Sequence, residues 1–384
     1  MQHFKKIILC CLLFSYNFSF SQDTLYARQI IKKLTSKEMF GRGYLNNGLD
    51  NAAKYIVNQM EQIKAQPLFP TGFYQWYDQN VNTFPDKVTV KLNGKLLKPG
   101  YDYIFAPESG SIKGKFNLVK KDSVNYVAEG SPIPLIVSLK KKLTFSVTDK
   151  AADYAVIEVL QSEKIRDLKN IEVNIESKVL TKYICKNVCG SIPGKERNDT
   201  CIVFTAHYDH LGGMGKQTYF PGANDNASGV SMLLNIMRYY YKNPPKYKTV
   251  FLFFAGEEAG LLGSKHFVEE SKFDLKSIKF LLNLDLLGTG DDGIMVVNAT
   301  EFKSQFEKLK SVNDQQHLVK EIKQRGKASI SDHYWFTEKG VPCFFIYTLG
   351  GIKAYHDVQD IEKTLPLTDY TDVMKLLIEY VKLL

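Results

Sequence analysis

From about residue 181 onward, short apolar runs alternate with stretches in which apolar residues recur every three to four positions. The runs are "CIVFTAH", "TVFLFFAG", "IKFLLNLD", "GIMVVNA" and "VPCFFIYT". An unbroken apolar run of this length predicts a strand buried on both faces. Between the first two runs, Val230, Leu233, Leu234 and Met237 share one face of a helix expected over 227–241. Alternation of this kind predicts an α/β fold, with a mixed, mostly parallel central sheet flanked by helices. Sites in such sheets form beyond the carboxyl ends of the strands.

The earlier part of the chain has a different texture. Residues 24–64 read as helical, with "LDNAAKYIVNQMEQI" at helical spacing. Residues 87–176 read as short strands: "VTVKLNGKLLKPGYDYIF" alternates around an Asn93–Gly94 turn, and "GSIKGKFNLV", "IPLIVSL", "LTFSVT" and "YAVIEVL" follow. The expected organisation is a signal segment at 1–21, an N-terminal helical part at 22–85, a β-rich accessory insertion at 86–176 and a catalytic α/β part at 177–384.

Composition narrows the function classes. Of 384 residues, 44% are hydrophobic and 24% charged, as in an ordinary globular protein. The formal charge of +9 comes from scattered lysines without a basic-aromatic module, so no nucleic-acid partner is expected. "MQHFKKIILCCLLFSYNFSFSQ" has the basic, apolar and small-residue layout of a secretory signal and is too short to span a bilayer. The mature protein is therefore expected to be exported, without stable membrane insertion. Beyond the signal, Cys185, Cys189, Cys201 and Cys343 lack zinc-finger spacing and read as buried free thiols.

Three of the apolar runs end on groups that metals bind. "CIVFTAHYDHLG" ends on His207 and Asp209, "TVFLFFAGEE" on Glu257 and Glu258, and "IKFLLNLDLLG" on Asp285. "GANDNASG" places Asp225 before a helix, and "AYHDVQD" places His356 after the last strand. Each motif alone is an ordinary cap, turn or hydrogen-bond pair. Together they fall where one crevice collects them. Two adjacent acids closing a core strand are costly unless cations take them. Asp225, Glu258 and Asp285 offer three negative charges against the four of two Zn²⁺ ions, and neutral His207 and His356 suit zinc. Asp209 is expected to accept the second ring N–H of His207. Glu257 is then free for proton transfer.

"TAHYDHLG", "GANDNASG", "FAGEEAGLLGS", "NLDLLG", "SDHYWF" and "YHDVQD", in this order, resemble the M28 family of zinc metallopeptidases, especially its secreted bacterial aminopeptidases. The resemblance covers about 182–384, with a weaker helical match near 25–64, and implies the zinc-exopeptidase, phosphorylase/hydrolase-like fold. It implies two Zn²⁺ ions bridged by Asp225, one completed by His207 and Asp285, the other by Glu258 and His356, with Glu257 as general acid/base. It further implies a cis peptide at Asp225–Asn226, roles for Asp332 and Asp360 around the site or on the substrate side, and peptide substrates. His210 and His333 match family positions without being expected ligands; His266 and His317 match none. The β-rich stretch is shorter than the protease-associated domain of larger secreted relatives and matches it poorly. Removal of N-terminal residues is the leading expectation. Glutaminyl cyclisation, a carboxypeptidase like the glutamate-releasing branch, and a non-catalytic relative are the alternatives.

Overall fold

In the computed structural model, residues 21–86, 88–162 and 167–384 are described. Of the signal segment read over 1–21, residues 1–20 lie outside them. Among the described residues, no helix is long and apolar enough to cross a membrane.

A nine-stranded mixed sheet organises the chain. Its centre consists of Lys248–Phe254, Cys201–His207, Ile278–Leu284 and Cys343–Thr348, neighbours in that order and all parallel. These are the apolar runs of the sequence. Every residue of Cys201–His207 is buried, as it must be for a strand covered on both faces. The flanks are antiparallel: Lys178–Ile192 pairs with Lys248–Phe254 on one side, and Ile294–Val297 with Cys343–Thr348 on the other. Helices Gly48–Ile63, Gly229–Lys242 and Tyr370–Lys382 pack against it, the first through Leu49, Ala52, Ala53, Ile56 and Met60. Fully buried Phe251 and Phe253 each contribute on the order of 2–3 kcal/mol of burial to this core.

The β-rich segment forms a second, eight-stranded sheet between Thr89–Leu92 and Asn170–Ile175. It includes the expected hairpin, with Leu92 opposite Lys95 across Asn93–Gly94. It has its own core, built on residues such as Tyr103, Phe105, Val137 and Ile157, into which Leu211, Met214, Phe220 and Val358 of the α/β part also pack.

Two expectations are corrected, and a third is met to within two residues. "LTFSVT" is not a strand: Leu143 and Phe145 are buried, so alternation is real, but the segment joins no ladder. Residues 22–85 are not all helical, because Tyr74–Thr83 pairs antiparallel with Lys178–Ile192 and joins the large sheet. The helix expected over 227–241 is present as Gly229–Lys242, with Ser228 already helical before it, and non-helical backbone is confined to Asp225 and Asn226.

Candidate active site

The four central strands are parallel, so their carboxyl ends share one edge, and the polar residues that follow them converge there. His207 Nε2 lies 3.3 Å from Asp225 Oδ1 and 3.4 Å from Asp285 Oδ1. His356 Nε2 lies 3.2 Å from Asp225 Oδ2 and 3.1 Å from Glu258 Oε2. Each histidine thus meets a different oxygen of the same aspartate. Candidate ligand atoms of His207, Glu257 and Asp285, and of His207, Asp225 and Glu258, lie within 4.8 Å of one another in each set. His207, Asp225, Asp285 and His356 are all buried.

Local backbone conformation aims these groups. Gly256 has φ +69°, and a Cβ there would lie 2.6 Å from both the Gln79 and Tyr77 side chains; the strand turns on this residue to present Glu257 and Glu258. Gly222 has φ +63° and packs so closely that a Cβ would meet the Asp225 carbonyl at 2.2 Å. The Asp225–Asn226 peptide is cis. Asn226 Nδ2 donates to the Leu284 carbonyl, tying this turn to the strand that leads into Asp285.

Asp209 differs from expectation. The Nδ1–H of His207 donates to the backbone carbonyl of Asp209 at 3.2 Å, and the nearer carboxylate oxygen is 3.7 Å away. The carboxylate instead accepts the backbone N–H groups of Glu257 and Glu258 at 3.2 and 3.3 Å. One residue therefore orients the histidine through its main chain and the glutamate pair through its side chain. Asp360 accepts the N–H groups of Asn224 and Asp225, so it holds the Asp225 turn from beneath. Asp332 is buried with neither carboxylate oxygen hydrogen-bonded, and its charge repels that of Glu257. His333 packs on Phe345 with ring centroids 5.2 Å apart.

Three contributors were not among the expected site residues: His210 matches a family position without an expected role, and Arg42 and Phe145 carry no sequence signal. His210 Nδ1 donates to Glu258 Oε1 at 2.7 Å, so the second histidine of "HYDH" holds the second glutamate of the pair. Arg42 is fully buried and spends all five N–H donors on main-chain carbonyls: Tyr208, Leu34, Pro221, Gly222 and Asp225. It clamps the chain after His207 to the turn that carries Asp225. The carbonyl of Phe145, from the β-rich part, accepts the Nδ1–H of His356 at 2.9 Å. Tyr355, half exposed, stacks on His356 with centroids 3.9 Å apart.

The electrostatics favour cations. Burial opposes a charge on His356, yet Glu258 and Asp225 push its imidazole up to about 11. His207 behaves likewise: against burial, Asp285 and Glu257 hold it well above the ordinary range. Burial, followed by the charges of Asp332, Glu258 and Asp285, holds Glu257 well above the usual carboxylate range, with His207 pulling the other way. The buried oxygen Asp285 Oδ1 faces His207 without making a hydrogen bond. With both Nδ1 positions already engaged, both Nε2 atoms point inward among carboxylate oxygens. This is a donor set that fits zinc.

A mixed α/β sheet with imidazole and carboxylate groups converging at the carboxyl edge of its parallel strands defines an α/β protein of the metal-centre type. The chain belongs to peptidase family M28, whose profile matches residues 187–381. Aminopeptidase YwaD of Bacillus subtilis (strain 168) is 31% identical over 152 residues, 39% of this chain and 32% of that protein. A probable leucine aminopeptidase of Arthroderma otae is 31% identical over 163 residues, 41% of this chain and 44% of that protein. The chain thus spans 32% and 44% of the length of these two curated relatives. Among solved structures, BSAP, a zinc aminopeptidase from Bacillus subtilis, aligns over 93% of this chain and 94% of its own, with TM-score 0.67 and 19% identity. An aminopeptidase from Aneurinibacillus sp. strain AM-1 aligns over 93% and 92%, with TM-score 0.62 and 18% identity. At such identity the likeness concerns the fold. Coverage this complete takes in most of the β-rich segment, which therefore has a counterpart in both structures.

Proposed function

We propose that the chain is an exported two-zinc aminopeptidase that removes the N-terminal residue of peptides. The observation that carries this reading is the division of Asp225 between the two histidines, Oδ1 toward His207 and Oδ2 toward His356. His207, Asp225 and Asp285 would hold one ion, and Asp225, Glu258 and His356 the other. Zinc, when bound, would supply Lewis acidity toward a carbonyl oxygen and lower the pKa of a water bound to it toward neutrality. Glu257 takes the proton from the attacking water and returns it to the leaving amine. Asp209 holds Glu257 and Glu258 by their amides, so the proton-transfer carboxyl keeps its place as its charge changes. His210 fixes Glu258 in the same way from its side chain. Family membership and the names of the relatives support peptide hydrolysis from the N-terminus as the reaction.

The test is mass spectrometry of short peptides incubated with the purified, zinc-supplemented protein. The set contains free and acetylated N-termini and peptides that begin with glutamine. Loss of N-terminal residues from free-amine peptides alone is the expected result. Loss of ammonia from the glutamine peptides without chain cleavage would replace the reading with cyclisation, and cleavage of acetylated peptides from the C-terminus would replace it with a carboxypeptidase.

A further inference from the structure

The two histidines at the centre are oriented by different parts of the molecule. His207 is held by the Asp209 carbonyl, two residues away on the same strand end. His356 sits in an irregular loop and has φ 56°, a left-handed conformation uncommon outside glycine, though histidine is among the side chains that adopt it more readily. Its surroundings come largely from the β-rich part. The Phe145 carbonyl accepts the His356 Nδ1–H, and the Phe145 N–H donates to the His356 carbonyl at 3.1 Å. Lys142 Nζ donates to the carbonyl of Tyr355 at 3.0 Å. Two residues further on, Val358 is buried within the core of the β-rich sheet. The Phe145 ring stacks on Phe220, centroids 4.5 Å apart and planes 8° from parallel, which secures the docking segment.

We infer that the segment 142–147 is a positioning element of the metal centre, setting the affinity of the ion that His356 completes while leaving the His207 position to the α/β part. On this account the β-rich part is no separable accessory. It fixes the His356 tautomer and ring plane, because a carbonyl acceptor at Nδ1 leaves the Nε2 lone pair facing Asp225 and Glu258. This rests on the two-metal reading proposed above, and the measurement separates the two.

The full-length protein is stripped with a chelator and titrated with Zn²⁺ by calorimetry, and with Co²⁺ by its visible absorption, which reports ligand geometry without any turnover. Two variants are compared with wild type. Phe145→Ala removes the stack on Phe220. An α-hydroxy acid in place of Ser146 turns the Phe145–Ser146 amide into an ester, a weaker acceptor, with both side chains intact. Near-UV circular dichroism checks folding, and if Phe145→Ala does not fold, the ester variant decides. Both variants are expected to keep one ion at wild-type affinity and to bind the second roughly 10–100-fold more weakly, with an altered cobalt spectrum for that ion alone. Two ions bound at wild-type affinity in a folded variant would overturn the inference. So would equal loss of both ions, which would make the segment a general stabiliser. Fewer than two ions in the wild type would instead remove the two-metal reading itself.

Discussion

Replacing Arg42 with methionine removes five hydrogen bonds at once, all to main-chain carbonyls and all from a fully buried guanidinium. A hydrogen bond from a charged donor contributes about 1.5–3 kcal/mol, and a buried carbonyl left bare costs about 1–3 kcal/mol. These terms do not add in full. The Gly222 carbonyl keeps the N–H of Ala227, and methionine escapes the desolvation that lowers the arginine to about 10. The net loss is then about 4 kcal/mol, in the range for disrupting one buried charged group. With an unfolding entropy of about 2.1 cal/mol/K per residue over 384 residues, the melting temperature falls by about 5 °C. Arg42→Lys keeps the charge but offers three donors on one atom, and should recover less than half of the loss. Because Arg42 clamps the chain beside His207 to the turn carrying Asp225, zinc affinity should fall about tenfold or more in Arg42→Met. Differential scanning calorimetry and zinc titration read the two effects. A melting temperature within about 1 °C of wild type, or full recovery by lysine, would refute the argument that the five-donor fork holds this corner.

Glu257→Gln should retain its metal by elemental analysis while kcat falls by about 10²–10⁴-fold; near-normal turnover would take Glu257 out of the reaction. Asp225→Ala should lose occupancy at both positions, and two bound zinc ions in that variant would end the bridging assignment. Burial lowers the His333 imidazole to about 4. Between about pH 6.5 and 4 the unfolded chain therefore binds a proton that the folded chain does not, so this contribution to stability is complete above pH 6.5 and is lost as pH falls. By pH 5 the loss amounts to about 2 kcal/mol. His333→Phe, packed on Phe345, should show that much less acid sensitivity in urea unfolding; equal pH slopes in the two proteins would contradict it.

The central sheet was legible because burial on both faces leaves continuous apolar runs, and a run that stops on His207, Glu257 or Asp285 announces a strand end. The edge strand Tyr74–Thr83 was not: its burial alternates from Trp76 to Val81, but exposed Trp76 and buried Gln79 break the match between apolar residues and the inner face. "LTFSVT" shows why alternation can mislead. Leu143 and Phe145 do turn inward, but periodicity registers which side chains are buried and is silent about whether the backbone has a ladder partner. The candidate ligands could be named because their chemistry lies in their side chains. Arg42 could not, because what it contacts is main chain, and Phe145 could not, because it holds His356 through its own carbonyl, and a carbonyl has no letter in the sequence. Asp209 marks the boundary: its position was noted, yet its carboxylate serves two amides and its carbonyl serves the histidine.

Thr83 and Lys178 are paired residues of adjacent antiparallel strands, so the whole β-rich part hangs from the tip of one hairpin. A chain that leaves and re-enters a sheet at neighbouring positions can be lengthened or exchanged there at a closure cost that grows only slowly with length. For anyone grafting a different unit onto this scaffold, the ladder from Tyr74 to Thr83 asks the newcomer for two close ends and for acceptors to Asn82, whose amide groups donate to the carbonyls of Pro107, Ser109 and Thr148. His356 asks for more: one carbonyl and one N–H, delivered to a loop that the graft meets only through space.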